Sequence, residues 1–485
     1  MTRLQTFAAV LLALSCVAAP LLAQDDDDEP DPMKEARWDK NAKKPWPTAQ
    51  KTDIERLDEG KVLITNEAYK QIFSAYMDGS RPLFITSDSV LNAYHVLYEE
   101  SILRLEKANA GKLSEILQFV WKHLPAAGKG YRGRPKLVAA ARKRAQVVIG
   151  TALRLLGDTS IKPSRDVAAL IDAEVKRVEA ASGQVKPKWL GAPGATFVAL
   201  DYTRYKPRGF YTKSDRLKRY FRAVSWLQSI PFRLSSDEEL VSMLMLAGCL
   251  DWDNFPKHDF MKAREYEHFF RIYARFVGAA DDWDLTTLQD EAGNNKRLNL
   301  DPRNKEGLTR LRNDLKREAT GYGKGPLIND QLRFAPDDPS QTAEPNFRVL
   351  SARRTPDAIL FGRTTDLRRF KRPFPSGLEV CASLGSTFAR SKLTGGDREK
   401  LLETIDGCHA HFKGHGLYVR YLDCLAALLD KPERDAPAFM SGEAWQTKSC
   451  QTVLAGVGAA SPHVGAAGQA DRALPRPHAA ACGVR

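Results

Sequence analysis

From Gly60 onward apolar residues recur at three- and four-residue spacing almost without interruption, and period-two alternation is scarce. That pattern argues against a β-sandwich or barrel. It predicts a mainly α chain, folded as a multi-helical bundle or as an α/α ring of stacked helical hairpins. The spacing predicts helices over 66–76, 87–107, 113–124, 136–156 and 166–181. Ser214 is placed to cap the next helix, with Leu217, Tyr220, Phe221, Val224 and Leu227 on one face. Ser235-x-x-Glu238 reads as a capping box opening a helix over 239–250. Residues 252–279 are aromatic and helical in pattern. Residues 284–375 are rich in Asn, Asp, Pro, Gly and Arg, and read as a long irregular connection with local helices. Helical pattern returns over 379–388, 396–410 and 417–429.

Residues 1–23 have the layout of an export signal: Arg3, an apolar run over 7–19, then Leu21-Leu22-Ala23. The run is too short to span a bilayer, and no later stretch approaches ~18 unbroken apolar residues, so no transmembrane segment is expected. Lipid attachment at Cys16 is not expected, because the apolar run before it is short. Residues 24–58 are charged and proline-containing and read as a flexible lead-in. Residues 59–456 form the helical domain. The expected location is periplasmic or extracellular. The net charge of +13 is spread along the chain and densest over 122–144 and 206–222. In an exported chain it fits an anionic envelope polymer as partner, not nucleic acid. Of seven cysteines, Cys16 lies in the signal and Cys482 in the last residues. The other five (Cys249, Cys381, Cys408, Cys424 and Cys450) include no C-x-x-C pair. One or two disulfides are compatible with an oxidising compartment, but a disulfide scaffold is not.

The polar residues that stand out are Asp88, Asn92, His95 and Glu99, at i, i+4, i+7 and i+11 on one helix face. Val90, Leu91, Tyr94, Leu97 and Tyr98 cover the rest of the circumference, so the polar stripe is expected to face inward. A carboxylate with an imidazole can orient a general base or hold a metal. The structural alternative makes Asp88 an N-cap side chain after Thr86-Ser87, and His95 a hydrogen-bonded core histidine. In Lys206-Pro207-Arg208-Gly209 a stiff loop presents Arg208, as a fork for carboxylate, phosphate or sugar hydroxyls or as a buttress between elements. Asp281 and Asp282, with Asp284, are weak calcium candidates without the loop spacing that ion prefers. His411 and His415, near Cys408, are weak zinc candidates. No phosphate loop, G-x-S-x-G elbow or H-E-x-x-H is present, and no cofactor is expected.

Several segments share a pattern. Residues 84–97 (FITSDSVLNAYHVL) are similar to F-[IV]-T-[ST]-D-[SA]-x-L-x-[AT]-[YF]-H-x-L, and residues 201–227 to a K-P-R-G-H-Y…Y-F…W-L run. Phe276–Asp282 (FVGAADD) looks like F-x-V-G-x-x-D-D, without the residue between Phe and Val. Arg353–Asp357 fits R-[FR]-x-P-D, and Pro375–Val380 with Leu384-Gly385-Ser386 fits P-S-G-L-[DE]-V-x-x-x-L-G-S. Together they resemble the bacterial domain of unknown function 3160 family over roughly residues 63–456. These motif positions give Asp88, His95 and Glu379 as candidate catalytic residues, and Asn92, Arg208 and Asp357 as candidate ligand-binding residues. Phe210 stands where that family often has His.

Residues 457–485 lack a sustained apolar face. Read from the second base of the Val457 codon, the genetic code permits W-A-Q-L-R-H-T-W-V-L-Q-A-K-Q, which resembles a motif of the same family. The expectation is therefore a frameshift near Gly456 that truncates the domain and leaves 457–485 as a disordered tail. The function expected is an envelope-associated binding or scaffold module. The alternative is a hydrolase-like enzyme acting on envelope polysaccharide or peptide, with Asp/Glu and His set in a helical ring.

Overall fold

In a computed structural model of the chain, the described residues are 87–127, 134–191, 199–250, 266, 269, 272–273, 275–278, 280, 283–285, 305–321, 345–364, 370, 376–394, 397–413 and 416–460. The expected export signal, the expected lead-in and the helix expected over 66–76 lie outside them. Two compact units are formed. Of the described residues, the first takes those up to 101 and those of 356–460, and the second takes those of 102–355. The described chain is mainly α, a packed multi-helix bundle.

Helix α1, Ser87–Ala127, is a single helix of 41 residues where the spacing predicts two. The two predicted helices leave 108–112, including Gly111, between them. A helix-interior glycine costs roughly 1 kcal/mol against alanine, little beside an apolar face that continues through buried Leu105, Leu113, Ile116, Leu117 and Val120. Asn109 also does not compete for the helix backbone, because its side-chain amide donates to the Tyr273 hydroxyl at 3.0 Å.

In the second unit α2 (Pro135–Leu156) packs against α3 (Arg165–Ala180), α4 (Asp215–Ser229) and α5 (Asp237–Gly248). Val147, Val167 and Ile171 form a core with Trp121, Leu170, Val175 and Trp189 packed around it. Gly150 permits the close approach of α2 and α3. A Cβ there would collide with the Ile171 side chain and sit 3.1 Å from Trp121. Helix α4 forms as its pattern predicts: Ser214 Oγ accepts from the Leu217 N–H at 3.3 Å, and all five face residues are buried. The cap of α5 lies one residue later than expected, and the box is not closed. Ser236 is the cap, accepting from the Glu239 N–H at 3.3 Å, and the Glu239 side chain turns instead to Arg233.

Strands β1 (Gln184–Val185) and β2 (Leu200–Asp201) pair antiparallel, with Gln184 opposite Asp201. Strands β3 (Phe232–Arg233) and β4 (Asn346–Phe347) do likewise, with Phe232 opposite Phe347. Helix α6 (Lys305–Gly321) and β4 both fall inside the stretch read as an irregular connection.

The first unit holds the start of α1 with α7 (Pro356–Thr364), α8 (Leu378–Ser383), α9 (Thr387–Lys392), α10 (Arg398–Cys408), α11 (Leu417–Ala426) and α12 (Glu443–Ala460). The one helix expected over 379–388 is two. Gly385, at φ +106°, breaks it, and Ser386 starts the next by accepting from the Ala389 N–H at 3.0 Å. Helix α12 runs beyond Gly456 to Ala460 with Val457 buried, so the first residues of the expected tail are helical. Gly456 itself lies against α11, where a Cβ would come within 2.7 Å of the Tyr421 hydroxyl. No described helix is long and apolar enough to cross a membrane.

Candidate functional site

Two tyrosines per helix fix how the start of α1 meets α11. Tyr94 stacks on Tyr421 with centroids 5.1 Å apart, and Tyr98 meets Tyr418 at 6.3 Å. The Tyr94 hydroxyl donates to the Leu417 carbonyl at 3.2 Å. Aromatic rings bring the largest apolar area to an interface, so Leu91, Tyr94 and Tyr98 take the buried line of α1. The polar stripe is displaced to its rim: Asp88, His95 and Glu99 are half-buried and Asn92 is exposed. Val90 and Leu97, expected to help enclose the stripe, are exposed, together with Val96.

Within this rim Asp88 and His95 have separate partners. The Asp88 carboxylate forms an ion pair with Lys448 of α12, whose ammonium also lies 4.7 Å from the Trp445 ring centroid. His95 Nε2 is 3.8 Å from a Glu99 oxygen, and its ring is 6.5 Å from that of Tyr421. Burial lowers the affinity of His95 for a proton, opposed by the Glu99 charge, and the net shift is downward. The imidazole is thus a neutral base at pH 7. Burial pushes the Tyr94 and Tyr98 hydroxyls well above their ordinary range and Tyr421 up to about 12.

Three further sequence candidates, Asp357, Glu379 and Arg208, have structural contacts. Asp357, near the start of α7, is 2% exposed and accepts from the Tyr418 hydroxyl at 2.8 Å. Glu379 is fully buried, and one of its oxygens accepts from the N–H and the hydroxyl of Ser376 at 3.0 and 2.8 Å. It thereby closes the turn through Gly377, at φ +79°, that opens α8. Arg208 belongs to the second unit. It precedes Gly209, at φ +56°, and its guanidinium lies 6.0 Å from the Phe221 ring centroid. His411 sits on the single turn His409–Lys413, whereas Asp281, Asp282 and His415 lie outside the described residues. Among the described residues no group of three or more His, Cys, Asp or Glu side chains could hold a metal ion.

Sequence reasoning missed two buried polar networks in the second unit. Glu174 of α3 accepts from Trp189 Nε1 at 2.9 Å and from the Tyr202 hydroxyl at 2.5 Å, and pairs with Arg177. Glu239 receives the Arg233 guanidinium, its Nε lying 2.9 and 3.1 Å from the two carboxylate oxygens. It also accepts from the Arg233 backbone N–H at 2.8 Å and lies 3.4 Å from Arg144. A signal was present. Glu174 continues the buried register of Val167, Ile171 and Val178, where a carboxylate is stable only with partners.

The family described as "Protein of unknown function (DUF3160)" matches residues 50–457, and the chain belongs to it. No curated protein and no solved structure matches the chain.

Proposed function

We propose that this family member is an exported binding or scaffold module of the cell envelope, and that the basic outer face of α4 receives an anionic envelope polymer. The observation that carries this reading is one-sided charge on a well-anchored helix. Arg216 and Arg219 of α4 are exposed, as are Lys206 and Lys213 on the turns leading into it, while Leu217, Tyr220 and Val224 hold the opposite face of α4 in the core. Asp215 offsets part of the charge through its pair with Lys218 at 2.9 Å. Cations fixed on a rigid helix attract a polyanion without sequence or stereochemical demands, and salt weakens that attraction. Export agrees with the layout of residues 1–23. The partners of Asp88, Asp357 and Glu379 weigh against using them as acid or base, since each carboxylate is engaged in holding the fold.

The test is retention of the full chain on immobilised polygalacturonate at low and high salt, with Lys213→Glu/Arg216→Glu/Arg219→Glu as comparison. Salt-sensitive retention, weakened at least tenfold in the variant at unchanged helicity, is expected. Retention equal in both proteins overturns the reading.

One observation favours the hydrolase reading: His95 is half-buried beside Glu99 and held neutral, as a general base must be. Stacking of the hairpins into a ring belongs to that reading too. It requires release of soluble fragments from envelope polysaccharide or peptide, abolished by His95→Ala. A shift of reading frame next to Gly456 is likewise proposed, supported by the motif that the shifted codons permit. Sequencing the gene across codon 456 tests it, and an unbroken frame overturns it.

A further inference from the structure

Five described cysteines are buried free thiols: Cys249, Cys381, Cys408, Cys424 and Cys450. Their surroundings differ. Cys408 receives the Arg363 guanidinium at 3.7 Å, and Cys424 lies near the Tyr94 and Tyr421 hydroxyls. Cys381 and Cys450 meet each other. The two thiols share a hydrogen bond, Cys381 Sγ lies 3.7 Å from the Cys450 carbonyl oxygen, and Ser386 Oγ lies 3.8 Å from Cys450 Sγ. Cys381 is on α8 and Cys450 on α12, 69 positions apart in sequence.

We propose that Cys381 and Cys450 are a disulfide-forming pair, oxidised in the mature protein to a bond that staples α8 to α12. Three structural features support it. The Cys381 thiol donates to the Cys450 carbonyl oxygen at 3.7 Å and is hydrogen-bonded to the Cys450 thiol, so the two side chains already lie side by side between the helices. Both lie between packed helices that hold them in one arrangement. The bond would close a long stretch of chain, including α9, α10 and α11, which is where cross-linking restrains the unfolded chain most. The Cys381 hydrogen bond holds the Cys450 thiol below its ordinary range, burial opposing, and the Ser386 hydroxyl helps. Cys450 is therefore the first nucleophile.

The oxidant is a dithiol–disulfide exchange partner. The Cys450 thiolate attacks one sulfur of the oxidant disulfide and displaces the other as thiolate. The Cys381 thiolate then attacks Cys450 Sγ in the mixed disulfide and expels the second oxidant sulfur. One S–S bond forms and one breaks. Two electrons pass from the cysteines to the oxidant, and the two thiol protons end on its thiols. The compartment needed is the one the envelope reading supplies, but polymer binding plays no part in the chemistry, so either idea can fail alone.

The experiment incubates the folded full chain in a glutathione redox buffer and then maps peptides without reduction. A linked pair of peptides containing Cys381 and Cys450 is expected. Two thiols should be lost on denatured titration, with a rise of several degrees in Tm that reduction reverses. Cys381→Ser and Cys450→Ser should each abolish the link and the Tm rise, and Cys249→Ser should retain both. Glutathione adducts without a cross-link, a link between other cysteines, or no loss of thiols overturns the proposal. The peptide map of the unsubstituted chain decides the matter even where a variant fails to fold.

Discussion

Tyr94 lies flat against Tyr421, ring centroids 5.1 Å apart and planes within 4° of parallel, with both hydroxyls held protonated by burial. Offset stacking of this kind contributes about 0.5–1.5 kcal/mol beyond area burial. A double-mutant cycle of Tyr94→Leu and Tyr421→Leu, read by denaturant unfolding, should return a coupling energy in that range. Additivity within ~0.3 kcal/mol would show that the two rings pack independently.

Glu239 is 1% exposed and is reached by both Arg233 and Arg144. Removing one partner of a buried ion pair costs about 3–5 kcal/mol, because the remaining charge stays buried and uncompensated. Glu239→Gln should therefore destabilise the chain by that order. Replacing Arg233 and Glu239 together with Met should cost much less. Equal losses in the two variants would mean that side-chain shape, not charge, is what matters there.

The lowered His95 pKa gives a direction to pH dependence. Between the folded value and the unfolded value near 6.5 the unfolded chain binds the proton and the native chain does not. The contribution of His95 to stability is therefore complete above about pH 6.5, and it is lost as pH falls through the folded value. His95→Gln should flatten that segment of the stability–pH curve. A His95 ring-proton titration at or above the ordinary histidine range would contradict the burial argument.

Gly150 and Gly456 mark close helix approaches, against Ile171 and Trp121 in one case and Tyr421 and Leu425 in the other. Alanine at either should force a shift and cost about 1–3 kcal/mol by overpacking. An unaffected Tm in Gly456→Ala would show that the end of α12 does not dock on α11.

What could be read from the sequence follows from how local each signal is. Helix α4 was legible because its cap and all five core positions lie within one short segment. The helices expected over 87–107 and 113–124 are one, because tertiary packing outweighs the local cost of Gly111. The stripe on α1 was found, but its orientation was not: tyrosines of α11 decide it, and they are remote in sequence. Arg144, Arg233 and Glu239 look like ordinary surface charges until α2, β3 and α5 come together. Glu379 matches a family motif, yet its oxygen serves the neighbouring Ser376.

The discontinuity of the first unit bears on how the chain is made. Tyr94 and its acceptor Leu417 are 323 positions apart, so a ribosome adding ~5–20 residues per second delivers α11 roughly 16–65 s after α1. Throughout that interval Leu91, Tyr94 and Tyr98 have emerged while their helical partner has not. The second unit, encoded between them, can complete its own packing first. Nascent chains halted before α11 should therefore be the ones that attract chaperones or aggregate, and those released after α12 should not.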